Sequence, residues 1–166
     1  MLSQETIDTV KSTSPLLAEK GEAITQYFYK RLFEHHPELK DVFNQVNQKR
    51  GEQPRALADA ILAYANNLDN IEVLVPVVQR IAHKHVSLGI KPEQYPIVGE
   101  NLLAAIQDVL DLPDDHPAVS AWAEAYGVLA DIFINTEESI YKVNEESEGG
   151  WRGFREFEIT EIVTET

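Results

Sequence analysis

Cysteine is absent from the 166 residues of this chain, and its absence excludes several kinds of chemistry. The protein has no disulfide framework, no thiolate nucleophile and no iron–sulfur cluster held by cysteine. A chain without cysteine also fits a reducing compartment. The first ten residues, MLSQETIDTV, lack the basic region and apolar run of a secretory signal. We therefore expect a cytoplasmic protein.

Basic residues and long apolar runs are scarce as well. Lys and Arg total 14 against 28 Asp and Glu, which gives a formal net charge of −14. Such a chain is a poor partner for nucleic acid or for an anionic membrane surface, because its own field repels phosphate groups. No apolar stretch reaches the roughly 20 residues that a membrane-spanning helix needs. We expect no nucleic-acid partner and no membrane span.

Apolar residues recur at helical spacing over the first 146 residues or so. One segment shows Leu57, Ile61, Tyr64 and Leu68, and others repeat the pattern. The predicted helices begin near residues 3, 21, 54, 73, 92 and 119, and a polar loop is predicted for NQVNQKRGEQ (44–53). Ser3 is a candidate N-cap and Pro54 suits a first turn. The pattern predicts an all-α domain.

The last 20 residues have a different character. Gly149 and Gly150 end the helical part, and Phe157, Ile159 and Val163 then alternate with polar residues, which predicts a strand. A single strand is not stable alone, so it either packs on the helices or begins a second domain. The second interpretation is preferred. The expected division is a helical domain over 1–146 and a linker with a strand stub over 147–166.

A histidine lies on the apolar face of the helix predicted for 73–89. That face carries Leu74, Val78, Ile81, His85 and Leu88. An imidazole that points at a core is costly unless something binds it. The alternative, an ordinary core histidine with satisfied hydrogen bonds, is common among proteins and stays open at this point.

His85 has no second histidine suited to share a metal ion. His83 lies two positions away, on another side of the helix, whereas chelation on one helix needs a spacing of three or four. No HExxH or ExxH motif is present. A metal at His85 is thus expected to use it as a single axial ligand, as haem does. Tyr95 and Glu137 lie on neighbouring apolar stripes, and a buried carboxylate needs a partner.

Five segments of the chain resemble one known family. They are YFYKRLF (27–33), PELKDVFN (37–44), QPRALA (53–58), KHVSLGIKPEQYPIVGENLLAAI (84–106) and WAEAYGVLADIFI (122–134). They are similar to the globins, and in particular to bacterial flavohaemoglobins and their single-domain relatives. The resemblance covers residues 1 to about 146 and implies a globin fold around a haem. The tail GGWRGFREFEI resembles the join into the flavin-binding barrel, the rest of which is expected to be missing here.

The resemblance implies roles for residues on both sides of the haem. His85 would be the proximal ligand of haem b, with Tyr95 and Glu137 as its proximal partners.

On the distal side, Tyr29 and Gln53 would be polar donors. Leu57 would be the apolar residue over the iron, and Phe43 would wedge against the haem. Tyr95, Glu137 and Tyr29 are the expected catalytic residues. Two other tyrosines, Tyr64 and Tyr126, are expected to be ordinary core residues with paired hydroxyls.

The activity implied by the resemblance is nitric oxide dioxygenation, in which nitric oxide and oxygen become nitrate. Electrons would come from NAD(P)H through FAD in a reductase domain in cis, so the isolated chain would react once unless an external reductase helps. The alternative is a single-domain haemoglobin that binds, stores or delivers oxygen. Whether the distal pocket holds a lipid is left open, and the expected assembly is a monomer or weak homodimer.

Overall fold

The computed structural model describes residues 2–43 and 50–164, and within these ranges the chain is built from α-helices. The helices are α1 (Gln4–Ser12), α2 (Ser14–His35), α3 (Glu52–Asn66), α4 (Val75–Ser87), α5 (Gln94–Leu110) and α6 (Pro117–Glu146). Two short 3-10 helices, Pro37–Asp41 and Ile71–Leu74, follow α2 and precede α4. The all-α prediction is confirmed. None of the helices in the described ranges combines the length and apolarity that crossing a bilayer requires.

The first helix boundary differs from the prediction. Ser3 caps α1 as expected, since its hydroxyl accepts from the Thr6 N–H at 3.0 Å. The break, however, lies at Thr13, and Gly21 is inside α2. Gly21 marks a close crossing instead: a Cβ there would be 3.2 Å from the Cβ of Ala58 on α3. Gly21 therefore allows two helices to pack closely and does not mark the start of a helix.

The prolines at the starts of helices lie where their local chemistry predicts. Pro54 lies in the first turn of α3, and Pro76 lies in the first turn of α4, where a missing N–H costs nothing. α5 begins at Gln94, two residues after the predicted Pro92. The predicted polar loop over 44–53 lies mostly outside the described residues.

The buried apolar residues of the described ranges form two clusters. The larger one includes Tyr29 and draws on α1, α2, α3, α5 and α6. The smaller one consists of Val78, Ala82, Tyr95, Ala130 and Phe133, from α4, α5 and α6. Three half-buried side chains, Leu74, Tyr126 and Leu129, pack against both clusters. The candidate distal and proximal residues therefore belong to different parts of one core.

The strand predicted for the C-terminal tail is not formed within the described residues, and its role as the stub of a second domain stays a prediction. Residues 154–164 form no strand, and Phe157, Ile159 and Val163 are all exposed. The alternating pattern is real, but a strand also needs a neighbouring backbone to complete its hydrogen bonds, and the described part of the chain provides none here.

The beginning of the tail nevertheless contacts the helical body. Arg152 Nη1 donates to Glu138 Oε1 at 2.9 Å, and its guanidinium lies 5.0 Å from the centre of the Tyr141 ring. The ring of Phe154 approaches Gly89, where a Cβ would lie 3.1 Å from it. These contacts place the tail beside the loop that follows α4.

Candidate functional site

Three polar side chains from three helices meet at one carboxylate oxygen. Tyr95 donates its hydroxyl proton to Glu137 Oε1 at 2.5 Å. His85 Nδ1 lies 2.7 Å from the same oxygen and 3.1 Å from the Tyr95 hydroxyl. Glu137 is only 3% exposed, whereas the His85 side chain is 30% exposed. The structure thus brings together the three residues that the sequence analysis assigned to the proximal side.

Local structure explains how these side chains are positioned. His85 lies in the last turn of α4, and its carbonyl accepts from the Leu88 and Ile90 N–H groups at 3.0 and 3.1 Å. Gly89 permits this tight turn, because its φ of 69° lies in the left-handed region that favours glycine. The turn leads directly to α5, where Tyr95 is the second residue.

A phenylalanine packs against the same group. Phe133 precedes Glu137 by one turn of α6, so both side chains lie on one face. Its ring centre is 5.4 Å from that of His85 and 6.4 Å from that of Tyr95. Phe133 was not predicted to belong to the site, although its spacing of four from Glu137 was a usable signal.

The protonation of this group follows from its chemistry. Burial raises the pKa of Tyr95, and the hydrogen bond to Glu137 raises it further, so the hydroxyl keeps its proton. An ionised carboxylate only accepts hydrogen bonds, so His85 Nδ1 must supply the proton of its short contact. A neutral imidazole protonated at Nδ1 has an unprotonated Nε2, which makes no hydrogen bond within residues 2–43 and 50–164. This is the tautomer that binds metal ions.

The distal candidates on α2 and beyond it form an aromatic group. Tyr29 is buried, and its ring centre is 5.6 Å from that of Phe43 and 5.9 Å from that of Phe33. Phe33 and Phe43 are themselves in edge contact at 5.5 Å. The structure thus brings Tyr29 and Phe43 together, and adds Phe33 as a neighbour that the sequence analysis left without a role.

Gln53 and Leu57 lie one turn apart on α3, which packs against α2. The Thr25 hydroxyl donates to the Pro54 carbonyl at 2.8 Å and ties the two helices together. Leu57 is half-buried against the larger cluster. Gln53 Oε1 is buried and has no hydrogen-bond partner among the described residues. Such an oxygen costs about 1–3 kcal/mol, which indicates a polar group kept for something other than the core.

The two core tyrosines have paired hydroxyls, as predicted. Tyr64 donates to the Ala125 carbonyl at 2.7 Å, and Tyr126 donates to the Tyr95 carbonyl at 2.6 Å. The second bond connects Tyr126 to the proximal group, and no sequence signal predicted that connection.

The chain is similar in sequence to curated flavohemoproteins and in structure to solved globins. The chain is 58% identical over 158 residues to a flavohemoprotein of Halalkalibacterium halodurans, covering 95% of the chain but only 38% of that protein. It matches a bacterial globin from Campylobacter jejuni with 44% identity and a TM-score of 0.80, covering 84% of the chain and 99% of that globin. It also matches a flavohemoglobin from Malassezia yamatoensis, solved with FAD and heme bound, with 33% identity and a TM-score of 0.73, covering 85% and 38% respectively.

The globin family model matches residues 26–133, which include Tyr29 on α2, His85 on α4 and Tyr95 on α5. The chain spans well under half the length of the curated flavohemoproteins that it matches. Besides this family match over residues 26–133, a solved bacterial globin aligns over 99% of that globin's own length at 44% identity. This chain therefore belongs to the globin family.

Proposed function

We propose that this chain is the haem-binding globin part of a nitric oxide dioxygenase of the flavohaemoglobin type, which converts nitric oxide and oxygen to nitrate. The observation that carries the proposal is the buried carboxylate of Glu137, placed 2.7 Å from His85 Nδ1. Similarity to flavohemoproteins over 95% or more of the chain supports it.

The residues present fit a haem b. The His85 ring lies against Phe133 of the smaller apolar cluster, and Gln53 offers a buried oxygen without a hydrogen-bond partner in the described ranges. When bound, haem would be held by His85 and would supply an iron that can bind a small gas molecule.

The proximal residues would control how strongly His85 donates electron density. A carboxylate that accepts the Nδ1 proton makes an imidazole more basic and holds its orientation. Tyr95 holds the accepting oxygen, since its hydroxyl donates to Glu137 Oε1 at 2.5 Å and its raised pKa keeps it protonated. A more basic His85 imidazole would favour oxygen activation over simple storage, and for this reason the contact between Glu137 and His85 supports an enzyme.

The distal residues would stabilise negative charge on a bound gas ligand. A tyrosine hydroxyl and a glutamine amide are hydrogen-bond donors suited to that charge. Tyr29 and Gln53 have these groups, Phe43 packs against the Tyr29 ring, and Leu57 packs against the larger apolar cluster.

We also propose that residues 1–146 form the globin domain and that 147–166 lead to a flavin-binding reductase. FAD and NAD(P)H would then act only through that part, or through an external reductase. The greater length of the flavohemoprotein relatives supports this division. A chain that stops at Glu146 should keep the haem spectrum of the full chain, and loss of haem binding on truncation would contradict the division. A cytoplasmic location and a monomer or weak homodimer stay predictions.

The activity can be tested by following nitrate. The haem-loaded, reduced protein is mixed with oxygen and then with nitric oxide, the reaction is stopped by rapid quenched flow, and the nitrate formed is measured. We expect one nitrate per haem, followed by repeated turnover when a flavin reductase and NADH are added. His85→Ala is the control without an axial ligand. Binding of oxygen without prompt oxidation by nitric oxide would contradict the proposal.

That contradictory result would favour a second candidate, an oxygen-binding haemoglobin. The match to a bacterial globin along 99% of that globin's length is the observation in its favour. A lipid in the distal pocket would be detected separately, by mass spectrometry of an organic extract of the purified protein.

A further inference from the structure

The side chain of Tyr126, on α6, lies across the first turn of α5. Its hydroxyl donates to the Tyr95 carbonyl at 2.6 Å, and its ring lies against Gly99. In a regular helix the carbonyl of Tyr95 and the N–H of Gly99, four residues apart, bond to each other. A side chain from α6 thus contacts both residues that one such backbone bond joins in α5.

Gly99 provides the space that this contact requires. A Cβ at Gly99 would lie 2.8 Å from Tyr126 Cδ1, closer than real carbon atoms approach. Glycine inside a helix is less favourable than alanine, so its presence here needs a reason. The ring of Tyr126, packed against the α5 backbone, is that reason.

The turn that Tyr126 holds is the one that carries Tyr95. Tyr95 is the second residue of α5, and helix ends are held by fewer backbone bonds than helix centres. An added hydrogen bond at its carbonyl restrains the backbone there. The Tyr95 side chain must place its hydroxyl within 2.5 Å of Glu137 Oε1, so a small rotation of this turn would lengthen that bond.

We infer that Tyr126 is a positioning residue, which holds the first turn of α5 so that the Tyr95 hydroxyl stays on Glu137, with Gly99 as the surface on which its ring lies. The inference deepens the proposed function and rests on it, because Glu137 is taken to act on the axial histidine.

The iron–histidine stretching frequency of the ferrous, haem-loaded chain tests this inference independently of turnover. Tyr126→Phe keeps the ring and removes the hydroxyl. We expect it to lower the frequency, in the same direction as Glu137→Gln but by less. Tyr64→Phe is the matched control, since it removes an equivalent bond from a tyrosine to the Ala125 carbonyl at 2.7 Å, and we expect no shift.

Gly99→Ala is a second variant, because it displaces the ring while leaving the hydroxyl in the chain. We expect a lowered frequency again, with folding checked by urea denaturation of each variant. Equal shifts in Tyr126→Phe and Tyr64→Phe, or no shift in Tyr126→Phe while Glu137→Gln shifts, would overturn the inference alone. No shift in Glu137→Gln would overturn the proposed role of the carboxylate and the inference with it.

Discussion

At the scale of single residues, Glu137 is the acceptor that joins His85 and Tyr95 into one group. It is nearly fully buried, and its Oε1 receives hydrogen bonds from Tyr95 and His85. A buried carboxylate without such donors would be strongly destabilising. The two donors therefore stabilise its charge, and the charge in turn polarises the imidazole.

Glu137→Gln should lower the iron–histidine stretching frequency of the ferrous, haem-loaded protein. An amide oxygen is a weaker acceptor than a carboxylate, so less electron density reaches the imidazole. Resonance Raman spectroscopy measures this frequency. Glu138→Gln is the control, because Glu138 is the next residue but is exposed and pairs with Arg152. An unchanged frequency in Glu137→Gln would contradict the assigned role.

Tyr29→Phe should raise the oxygen dissociation rate severalfold or more. A hydrogen bond to a charged acceptor contributes about 1.5–3 kcal/mol, and the phenylalanine ring cannot supply it. Stopped-flow displacement of oxygen by carbon monoxide measures the rate. Tyr27→Phe serves as control, since Tyr27 is exposed and donates to Asp108. If Tyr29→Phe released oxygen at the original rate, Tyr29 would not be the distal donor.

At the scale of elements, the crossing of α2 and α3 positions the candidate distal residues. Gly21 meets Ala58, and one turn later the Thr25 hydroxyl reaches the Pro54 carbonyl. Tyr29 lies one further turn along α2, and α3 runs in the opposite sense, so its first turn lies toward Tyr29. The register of this crossing therefore governs how the start of α3 approaches Tyr29.

Thr25→Val should lower the free energy of unfolding by about 1 kcal/mol, the usual contribution of a hydrogen bond within a protein. Valine has nearly the same shape, so the loss reports the hydroxyl rather than a cavity. Urea denaturation measures the change. Thr25→Ser, which keeps the hydroxyl, should lose less, and a valine variant as stable as the original would show that the tether between the helices contributes nothing.

At the scale of the whole molecule, three helices distant in sequence build one site. His85 and Tyr95 are 10 residues apart, but His85 and Glu137 are 52 residues apart. The same packing buries several tyrosines, and burial raises the pKa of Tyr64, Tyr95 and Tyr126 above the ordinary value of 10.0. Each of these hydroxyls therefore holds its proton more tightly in the folded protein than in the unfolded chain.

The free energy of unfolding should therefore fall as the pH rises above about 10. Below that pH the tyrosines are protonated in both the folded and the unfolded state, so their contribution to the free energy of unfolding is complete. Above it the unfolded chain releases protons that the folded protein retains, which favours unfolding. Urea denaturation between about pH 8 and pH 11 measures the slope. Tyr64→Phe should make the slope shallower, and an identical slope would contradict the assigned cause.

Much of the fold and part of the site could be predicted because they depend on local patterns. Helical spacing identified the helices, and polar residues on apolar stripes identified His85, Tyr95 and Glu137. The helix start predicted near Gly21 was wrong, because the place of a glycine in a helix depends on what packs against it. The strand predicted around Phe157 is not formed in the described tail, because a strand depends on a partner backbone.

The sequence by itself determined which residues lie on buried faces, since helical periodicity and the cost of burying polar groups are properties of each segment. Only the tertiary structure decided that Glu137 Oε1 meets both Tyr95 and His85, that the Tyr126 ring occupies the space above Gly99, and that Thr25 joins α2 to α3. The physical reason is that these contacts join helices whose relative rotation and spacing result from the packing of all the core side chains together, and no single segment specifies them.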